Sequence, residues 1–333
     1  MHTTDQSRRQ APLSSSSETL RPWVGYPHRE GERHRVPVRW DDDGTPLSAE
    51  VALWRYAPVG PGGSRPRLLL IHGLRGDHHG MQLIVDALPE FEVLVPDLPG
   101  FGETEPVSDA AGRRVEHTLR VYADLVEALA SELGLSESDV LSGHSFGTIV
   151  TAAHCARPRR GRRWAGLVLS APISNEVFRG RLLPGAAVVE LYYRLSQLLP
   201  ERYGNEFLRS RTILSVTNLT MGADHDPLVS SYVRDQHSQH FGGYTDRQTL
   251  LEAYHCSSRH TVMDYASDLH LPVLLLPGAK DKLSTEEGRR RLRDQLPDGR
   301  LEVIRGGGHL VHYEKPAQIA RSIRRFVAEV ESR

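Results

Sequence analysis

The sequence predicts an α/β protein with a mostly parallel, eight-stranded sheet flanked by helices and a helical cap inserted into its second half. Three observations support this prediction. Short, continuously apolar segments alternate with amphipathic helical patterns, as is typical of parallel sheets covered on both faces. Helical periodicity then takes over between residues 175 and 270, without a strand pattern. A final run of strands and helices follows this region.

Composition limits the classes of function. The 333 residues can bury a sizeable core. Lys and Arg number 41 and Asp and Glu number 42, so charge gives no footprint for nucleic acid or an anionic membrane. No apolar run approaches the roughly 18 residues of a membrane helix, and the N-terminus lacks the apolar centre of a signal peptide. We therefore expect a small-molecule substrate, no nucleic acid and no membrane.

Cysteine and histidine spacing gives no metal signature. Cys155 and Cys256 are far apart and form no C-x-x-C pair, which indicates neither a disulfide framework nor a zinc site and favours a reduced, cytoplasmic setting. One group of acidic and histidine residues lacks the spacing of metal ligands and is interpreted as loop: Asp224, His225, Asp226, His237 and His240. No metal and no cofactor is expected.

The chain divides into three regions. Residues 1–32 are rich in Ser, Arg, Gln and Pro without periodicity, which predicts a mostly disordered leader. Residues 33–174 and 268–333 carry the strand and helix alternation and form the predicted core. Residues 175–267 form the predicted helical cap.

The elements of the core follow in order. A turn at Asp41–Gly44 predicts an antiparallel hairpin at the edge of the sheet. Continuous apolar runs predict the buried strands, and apolar residues at three- and four-residue spacing predict the helices. Ser284 with Glu287 is a capping box for one of these helices. The predicted strands are 34–40, 49–56, 67–71, 90–96, 139–143, 166–172, 272–276 and 300–304, and the clearest helical patterns are 119–133, 188–199, 250–254 and 319–330.

The segment from Gly143 to Gly147 carries the strongest functional signal. It reads Gly-His-Ser-Phe-Gly between a strand pattern and a helical pattern, which is the context of a nucleophile elbow. A side chain on so sharp a turn needs a strained backbone, and glycines two residues before and after it let strand and helix pass. Ser145 is therefore the candidate nucleophile.

Three other strand ends carry groups that a nucleophilic serine needs. A glycine-rich turn after residue 71 can direct the backbone N–H of Leu74 at a reacting oxygen, with that of Phe146 as a second donor. Asp281 follows the strand at 272–276, and His309 follows the strand at 300–304. The chain order Ser, Asp, His is the one expected of a triad on an α/β sheet.

These motifs resemble the α/β-hydrolase-fold serine hydrolases of the capped, esterase-like kind, from about residue 34 to the C-terminus. The resemblance rests on the following residues: His72-Gly73, Asp97 to Gly102, Gly143 to Gly147, Gly278 to Asp281, and Gly308-His309 with Glu314 and Pro316. It implies that Ser145 attacks, that His309 is the base, and that Asp281 orients the base.

Two assignments have rivals in the sequence. His312 lies three residues after His309, but the glycine run before His309 matches the family pattern better. Some members of this fold place the acid after the sixth strand, and here that segment, residues 170–174, contains no carboxylate.

The predicted function is a carboxylic ester hydrolase acting on an ester, thioester or lactone of a moderately hydrophobic small molecule through an acyl-enzyme. The same triad serves C–C bond hydrolases, amidases and acyltransferases. A lyase or cyclase, or a ligand-binding receptor with little turnover, would also retain these residues.

Overall fold

One nine-stranded sheet organises the part of the chain that the structure describes. The computed structural model describes residues 23–60, 66–157, 164–176, 178, 183–210, 222 and 226–333. The strands are β1 (Glu32–Asp42), β2 (Thr45–Tyr56), β3 (Leu68–Ile71), β4 (Val93–Pro96), β5 (Ser108–Asp109), β6 (Val140–His144), β7 (Gly166–Ser170), β8 (Val273–Leu276) and β9 (Gly299–Leu301).

The strand order is β1-β2-β4-β3-β6-β7-β8-β9, with β5 paired to β2. The hairpin of β1 and β2 and the pairing of β2 with β4 are antiparallel, and every pairing from β4 to β9 is parallel. All residues of β3, β4 and β6 are buried, because helices cover both faces of the sheet. The predicted fold class is confirmed, and the two-residue strand β5 is added to the eight predicted strands.

Ten α-helices are present in the part of the chain that the structure describes, and several of them pack on the two faces of the sheet. They are α1 (His78–Asp86), α2 (Leu119–Glu132), α3 (Phe146–Cys155), α4 (Leu183–Leu198), α5 (Glu201–Leu208), α6 (Pro227–His240), α7 (Arg247–Arg259), α8 (Glu286–Gln295), α9 (Val311–Glu314) and α10 (Pro316–Glu331). Apolar side chains of α2 and α3 belong to the core cluster on one face, and those of α1 and α10 to the cluster on the other.

Helix ends follow local capping chemistry. Thr118 is the N-cap of helix α2, and its side chain accepts a hydrogen bond from the Val121 N–H. Gly134 follows the C-terminal end of the same helix and has φ +57°. The capping box predicted at Ser284 is wrong by one residue. Thr285 is the N-cap of α8, and the Ser284 hydroxyl is instead buried against the Ser174 hydroxyl at 2.8 Å.

The end of the predicted leader packs against the core. Trp23 donates its indole N–H to the Tyr313 carbonyl at 2.9 Å, and Val24 is buried. The Arg29 guanidinium is buried and donates to five backbone carbonyls, those of Tyr56, Ala57, Val85, Leu88 and Phe91. Trp23, Val24 and Arg29 of the predicted leader 1–32 therefore pack against the core through contacts that have no periodic signature, and the boundary at residue 32 stays a prediction. Residues 1–22 lie outside the described residues.

Helices α4 to α7 lie between β7 and β8, and we refer to them as the insertion helices. Of the two predicted helical patterns here, 188–199 falls largely within α4 and 250–254 within α7. Neither α5, which is only eight residues long, nor α6, whose apolar stripe is weak, is among the predicted helical patterns. Among the described residues, no helix combines the length and the apolar character needed to cross a bilayer.

Candidate active site

Ser145 occupies the sharp turn between β6 and α3. Its backbone has φ 51° and ψ −118°, a strained conformation for a residue with a side chain. A Cβ on Gly143 would lie 2.3 Å from the Gly147 carbonyl oxygen, and a Cβ on Gly147 would lie 2.3 Å from the Ile71 carbonyl oxygen. Strand, turn and helix can therefore pass each other only because both positions are glycine.

The structure brings together Ser145, His309 and Asp281 from three separate turns. The Ser145 Oγ lies 2.8 Å from His309 Nε2, and His309 Nδ1 lies 3.0 Å from Asp281 Oδ2. His309 and Asp281 are both buried. A carboxylate can only accept at Nδ1, so this nitrogen carries the proton and the Nε2 lone pair faces the serine hydroxyl.

The turns that carry the acid and the base are locked to each other. The Lys280 N–H donates to the Gly307 carbonyl at 2.8 Å, and the Leu283 N–H donates to Asp281 Oδ1 at 2.8 Å. A Cβ on Gly278 would lie 2.2 Å from the Gly308 carbonyl oxygen, so glycine is required for this approach. One oxygen of Asp281 is thereby held by the backbone while the other holds the imidazole.

The turn that leads to Leu74 and the first residue of α3 both adjoin the nucleophile. A Cβ on Gly73 would lie 3.1 Å from the Ser145 Cβ, so the turn that leads to Leu74 passes directly beside the serine. Phe146 is the first residue of α3, and its N–H is among those that have no partner within the helix. His72 anchors the turn, since its Nε2 accepts the Leu98 N–H at 2.8 Å.

His312 lies apart from this constellation. Its buried ring packs against the His144 ring, with 3.8 Å between the centroids, and it contacts neither Ser145 nor Asp281. Burial holds the pKa of His312 well below its usual value, as does the neighbouring His144. The structure therefore joins His309, and not His312, to the serine and the acid.

Arg75 is a site residue that sequence reasoning missed. It follows Leu74, has φ +60°, and is buried. Its guanidinium donates to the Leu208 carbonyl at 2.6 Å and lies 4.3 Å from the centre of the Phe241 ring. The side chain thus connects the turn beside Ser145 to the insertion helices. The only signal in the sequence was an arginine within a glycine-rich turn.

One group among the described residues offers metal-ligand atoms. Asp77, His79 and His240 place one such atom each within 4.8 Å of one another. Asp77 is the N-cap of α1 and accepts from both the backbone and Nδ1 of His79, whose ring stacks on that of His240 at 3.7 Å. Capping and stacking account for this arrangement. Of the residues considered from sequence, only His240 belongs to it, and Asp224 and His225 lie outside the described residues.

A family model of the alpha/beta hydrolase fold matches residues 66–316. Among curated proteins, the chain is 43% identical to esterase YbfF of Escherichia coli strain K12 over 56 residues, which is 17% of this chain and 22% of that esterase. It is 23% identical to a proline iminopeptidase of Lactobacillus delbrueckii subsp. bulgaricus over 285 residues, covering 78% of this chain and 89% of the peptidase.

A solved structure agrees with this match. A thermophilic esterase from Thermogutta terrifontis superposes with a TM-score of 0.66 at 23% sequence identity, over 90% of this chain and 99% of the esterase chain. At this identity the likeness concerns the fold.

Proposed function

The chain belongs to the alpha/beta hydrolase fold family, and from this premise we propose that it is a serine hydrolase that forms an acyl-enzyme. Its substrate is an ester, thioester or lactone of a moderately hydrophobic small molecule. The observation that carries the proposal is the continuous chain of contacts from Ser145 Oγ through His309 to Asp281, at 2.8 and 3.0 Å.

Acylation begins at the serine hydroxyl. His309 Nε2 accepts the proton of Ser145 as Oγ attacks the substrate carbonyl carbon. Asp281 stabilises the imidazolium that forms and keeps its ring in place. The protonated Nε2 then donates its proton to the leaving alcohol or thiol, and the acyl group remains on Ser145.

The tetrahedral intermediate carries its negative charge on the former carbonyl oxygen. In this proposal the N–H groups of Leu74 and Phe146 receive it, and each such donor contributes roughly 3 kcal/mol in comparable sites. These donors belong to a fixed turn and a helix terminus, so they need no reorganisation during the reaction.

Deacylation repeats the same steps with water. His309 takes a proton from a water molecule that attacks the acyl carbon, and then returns a proton to Ser145 Oγ. The reaction needs no metal and no cofactor. One carboxylic acid and one alcohol or thiol are released for each water consumed, whereas a lactone yields one hydroxy acid.

An active-site probe tests the nucleophile. We expect a fluorophosphonate to label the folded protein and peptide mapping to find the adduct on Ser145. Ser145→Ala should abolish labelling and turnover of a p-nitrophenyl ester panel. Equal hydrolysis by the wild-type protein and Ser145→Ala would refute the proposal, and labelling without turnover would favour a receptor.

The panel also tests the bond. The esterase similarities favour esters, and the proline iminopeptidase similarity makes proline p-nitroanilide the matched amide substrate. We expect esters to be turned over faster. A preference for the anilide would redirect the assignment to a peptidase with the same nucleophile.

The choice of base is tested by two single substitutions. His309→Ala should lower kcat by at least about 10⁴-fold, because the serine then has no proton acceptor. His312→Ala should retain at least about a tenth of the wild-type kcat, because His309 still serves as the base. A loss confined to His312→Ala would reverse the assignment.

A further inference from the structure

A small cavity lies between the sheet and helices α1, α9 and α10, directly behind the Ser145 turn. Its volume is about 20 Å³, counted as space that the centre of a water molecule can occupy. All of its lining residues are buried. Most of the wall is apolar, but the polar residues Ser142, His144, Ser170 and His312 also line it.

Three polar atoms on residues that line this cavity have no protein partner. They are His144 Nδ1, Ser170 Oγ and His312 Nδ1. The three residues are 6%, 6% and 5% exposed, so each is more than nine-tenths buried. A buried polar atom without a hydrogen bond is strongly disfavoured, and three on one small cavity indicate a shared partner.

Both imidazoles are neutral in this setting. Burial lowers the pKa of His144 and of His312 well below the usual value for histidine, and the neighbouring His309 adds to this effect in each case. A neutral imidazole carries one N–H and one lone pair. The wall of the cavity therefore offers both donors and acceptors, which is what a single water molecule can bridge.

We infer that this cavity is a binding site for one water molecule, which bridges His144, Ser170 and His312. Through this water, Ser170 and His312 act as positioning residues for Ser145. A water needs roughly 10–15 Å³ of such space and two to four polar partners. The cavity meets both requirements. Its wall offers only two histidines as strong metal ligands, fewer than the three or four protein ligands of typical zinc sites.

The bridging water contacts two residues that hold the Ser145 turn in place. His144 immediately precedes Ser145, and the Ser170 carbonyl accepts the Ser145 N–H at 3.1 Å. A residue at φ 51° keeps that conformation only when its neighbours hold it there. The water holds His144 and Ser170 to each other and to α9. The positioning role rests on the proposed function of Ser145, but the water site does not.

Crystallography tests the site itself. A high-resolution structure of the full chain should show one ordered water about 3 Å from His144 Nδ1, Ser170 Oγ and His312 Nδ1. His312→Asn keeps a polar atom at the same number of bonds from the backbone as Nδ1 and should keep the water. His312→Leu should lose it. A dry cavity in the wild-type protein, or a water that persists unchanged in His312→Leu, would overturn the inference.

Kinetics tests the positioning role. His312→Leu and Ser170→Ala should each lower kcat about tenfold with little change in KM, because a displaced Oγ reacts more slowly in an unchanged pocket. His312→Asn should restore most of kcat. Leu88→Met, a volume-conserving apolar change in the same core cluster but outside the cavity wall, should leave kcat unchanged and controls for altered packing.

The outcomes are separable. If Ser145→Ala retains turnover, the proposed function fails, while the crystal structure still decides the water site. If the water is present but His312→Leu matches the wild-type kcat, the positioning role fails and the serine mechanism stands. Ser170→Ala decides the same question should His312→Leu not fold.

Discussion

The turns that carry the candidate triad and the insertion helices are held in different ways. In the turns, backbone packs on backbone: a Cβ on Gly143, Gly147 or Gly278 would lie within 2.3 Å of a carbonyl oxygen. In helix α4, a Cβ on Gly185 meets nothing within 4 Å, and Leu198 is 80% exposed. Only Tyr192, Tyr193 and Ser196 of that helix are buried.

This difference explains why one region leaves a signature in the sequence and the other does not. Backbone contacts at the turns can be met by very few residue types, so glycines and catalytic groups recur at fixed spacing. The insertion is held by side-chain contacts that many sequences could supply. Function should therefore be sensitive to small changes at the turns and tolerant of them in the insertion.

The strongest contrast should come from matched carboxylates. Asp281→Asn preserves shape but removes the negative charge, and an amide N–H that faces His309 Nδ1 would hold the ring in the wrong tautomer, so we expect kcat to fall about 10⁴-fold. Glu190 of α4 accepts hydrogen bonds from Tyr254 and Arg194, and Glu190→Gln should change kcat less than about twofold. Steady-state hydrolysis of a p-nitrophenyl ester measures both. Comparable losses would show that the insertion takes part in the chemistry.

Alanine substitution of one glycine in the Ser145 turn and of one glycine in α4 tests whether backbone packing is tighter at the turns than in the insertion helices. Gly147→Ala forces a Cβ against the Ile71 carbonyl, and the free energy of unfolding should fall by about 3 kcal/mol. Gly185→Ala lies in open space within a helix and should raise it by about 0.5–1 kcal/mol. Urea unfolding of both variants gives the two values. A neutral Gly147→Ala would mean that the elbow can relax.

The same distinction marks how far the sequence could predict this structure. The sheet, the hairpin and the elbow follow from local patterns, and the geometry brings Ser145, Asp281 and His309 into hydrogen-bond distance. Local patterns also misplace a boundary easily. Ser284 and Thr285 are both good N-cap residues, and burial of the Ser284 hydroxyl against Ser174 decides between them.

Contacts between distant parts of the chain could not be predicted. Arg29 donates to carbonyls on several core elements, and Arg75 reaches Leu208 across 133 positions in the sequence. Likewise, the rings of His79 and His240 meet only after folding. Such contacts depend on which surfaces meet in the folded protein. The residues adjacent in sequence to one partner contain no pattern that identifies the other partner.

Arginine variants test whether a single side chain ties the insertion to the core. Arg75→Met leaves the Leu208 carbonyl without its charged donor and should lower the stability of α5 and α6 by about 2 kcal/mol. Arg209 is an exposed residue that donates to the Tyr244 carbonyl at 3.2 Å, so Arg209→Met should cost less than about 1 kcal/mol. Amide hydrogen exchange of the two helices measures both. Equal protection in the two variants would remove the special role of Arg75.

The smallest expected effect is the loss of stability at acidic pH that a buried histidine of the insertion helices causes. His237 of α6 is 9% exposed, and burial lowers its pKa to about 4. The pKa of an unfolded histidine is near 6.5. Between about pH 6.5 and pH 4 the unfolded chain therefore binds more protons than the folded chain, and the free energy of unfolding decreases as the pH is lowered. From pH 7.5 to pH 5.5, His237 should contribute a loss of about 1 kcal/mol in the free energy of unfolding. His237→Gln cannot titrate and should lose that much less, as measured by urea unfolding at the two pH values. Identical pH dependence in both proteins would show that His237 is protonated equally in the folded and unfolded states. The insertion would then have no acid sensitivity of its own at this residue.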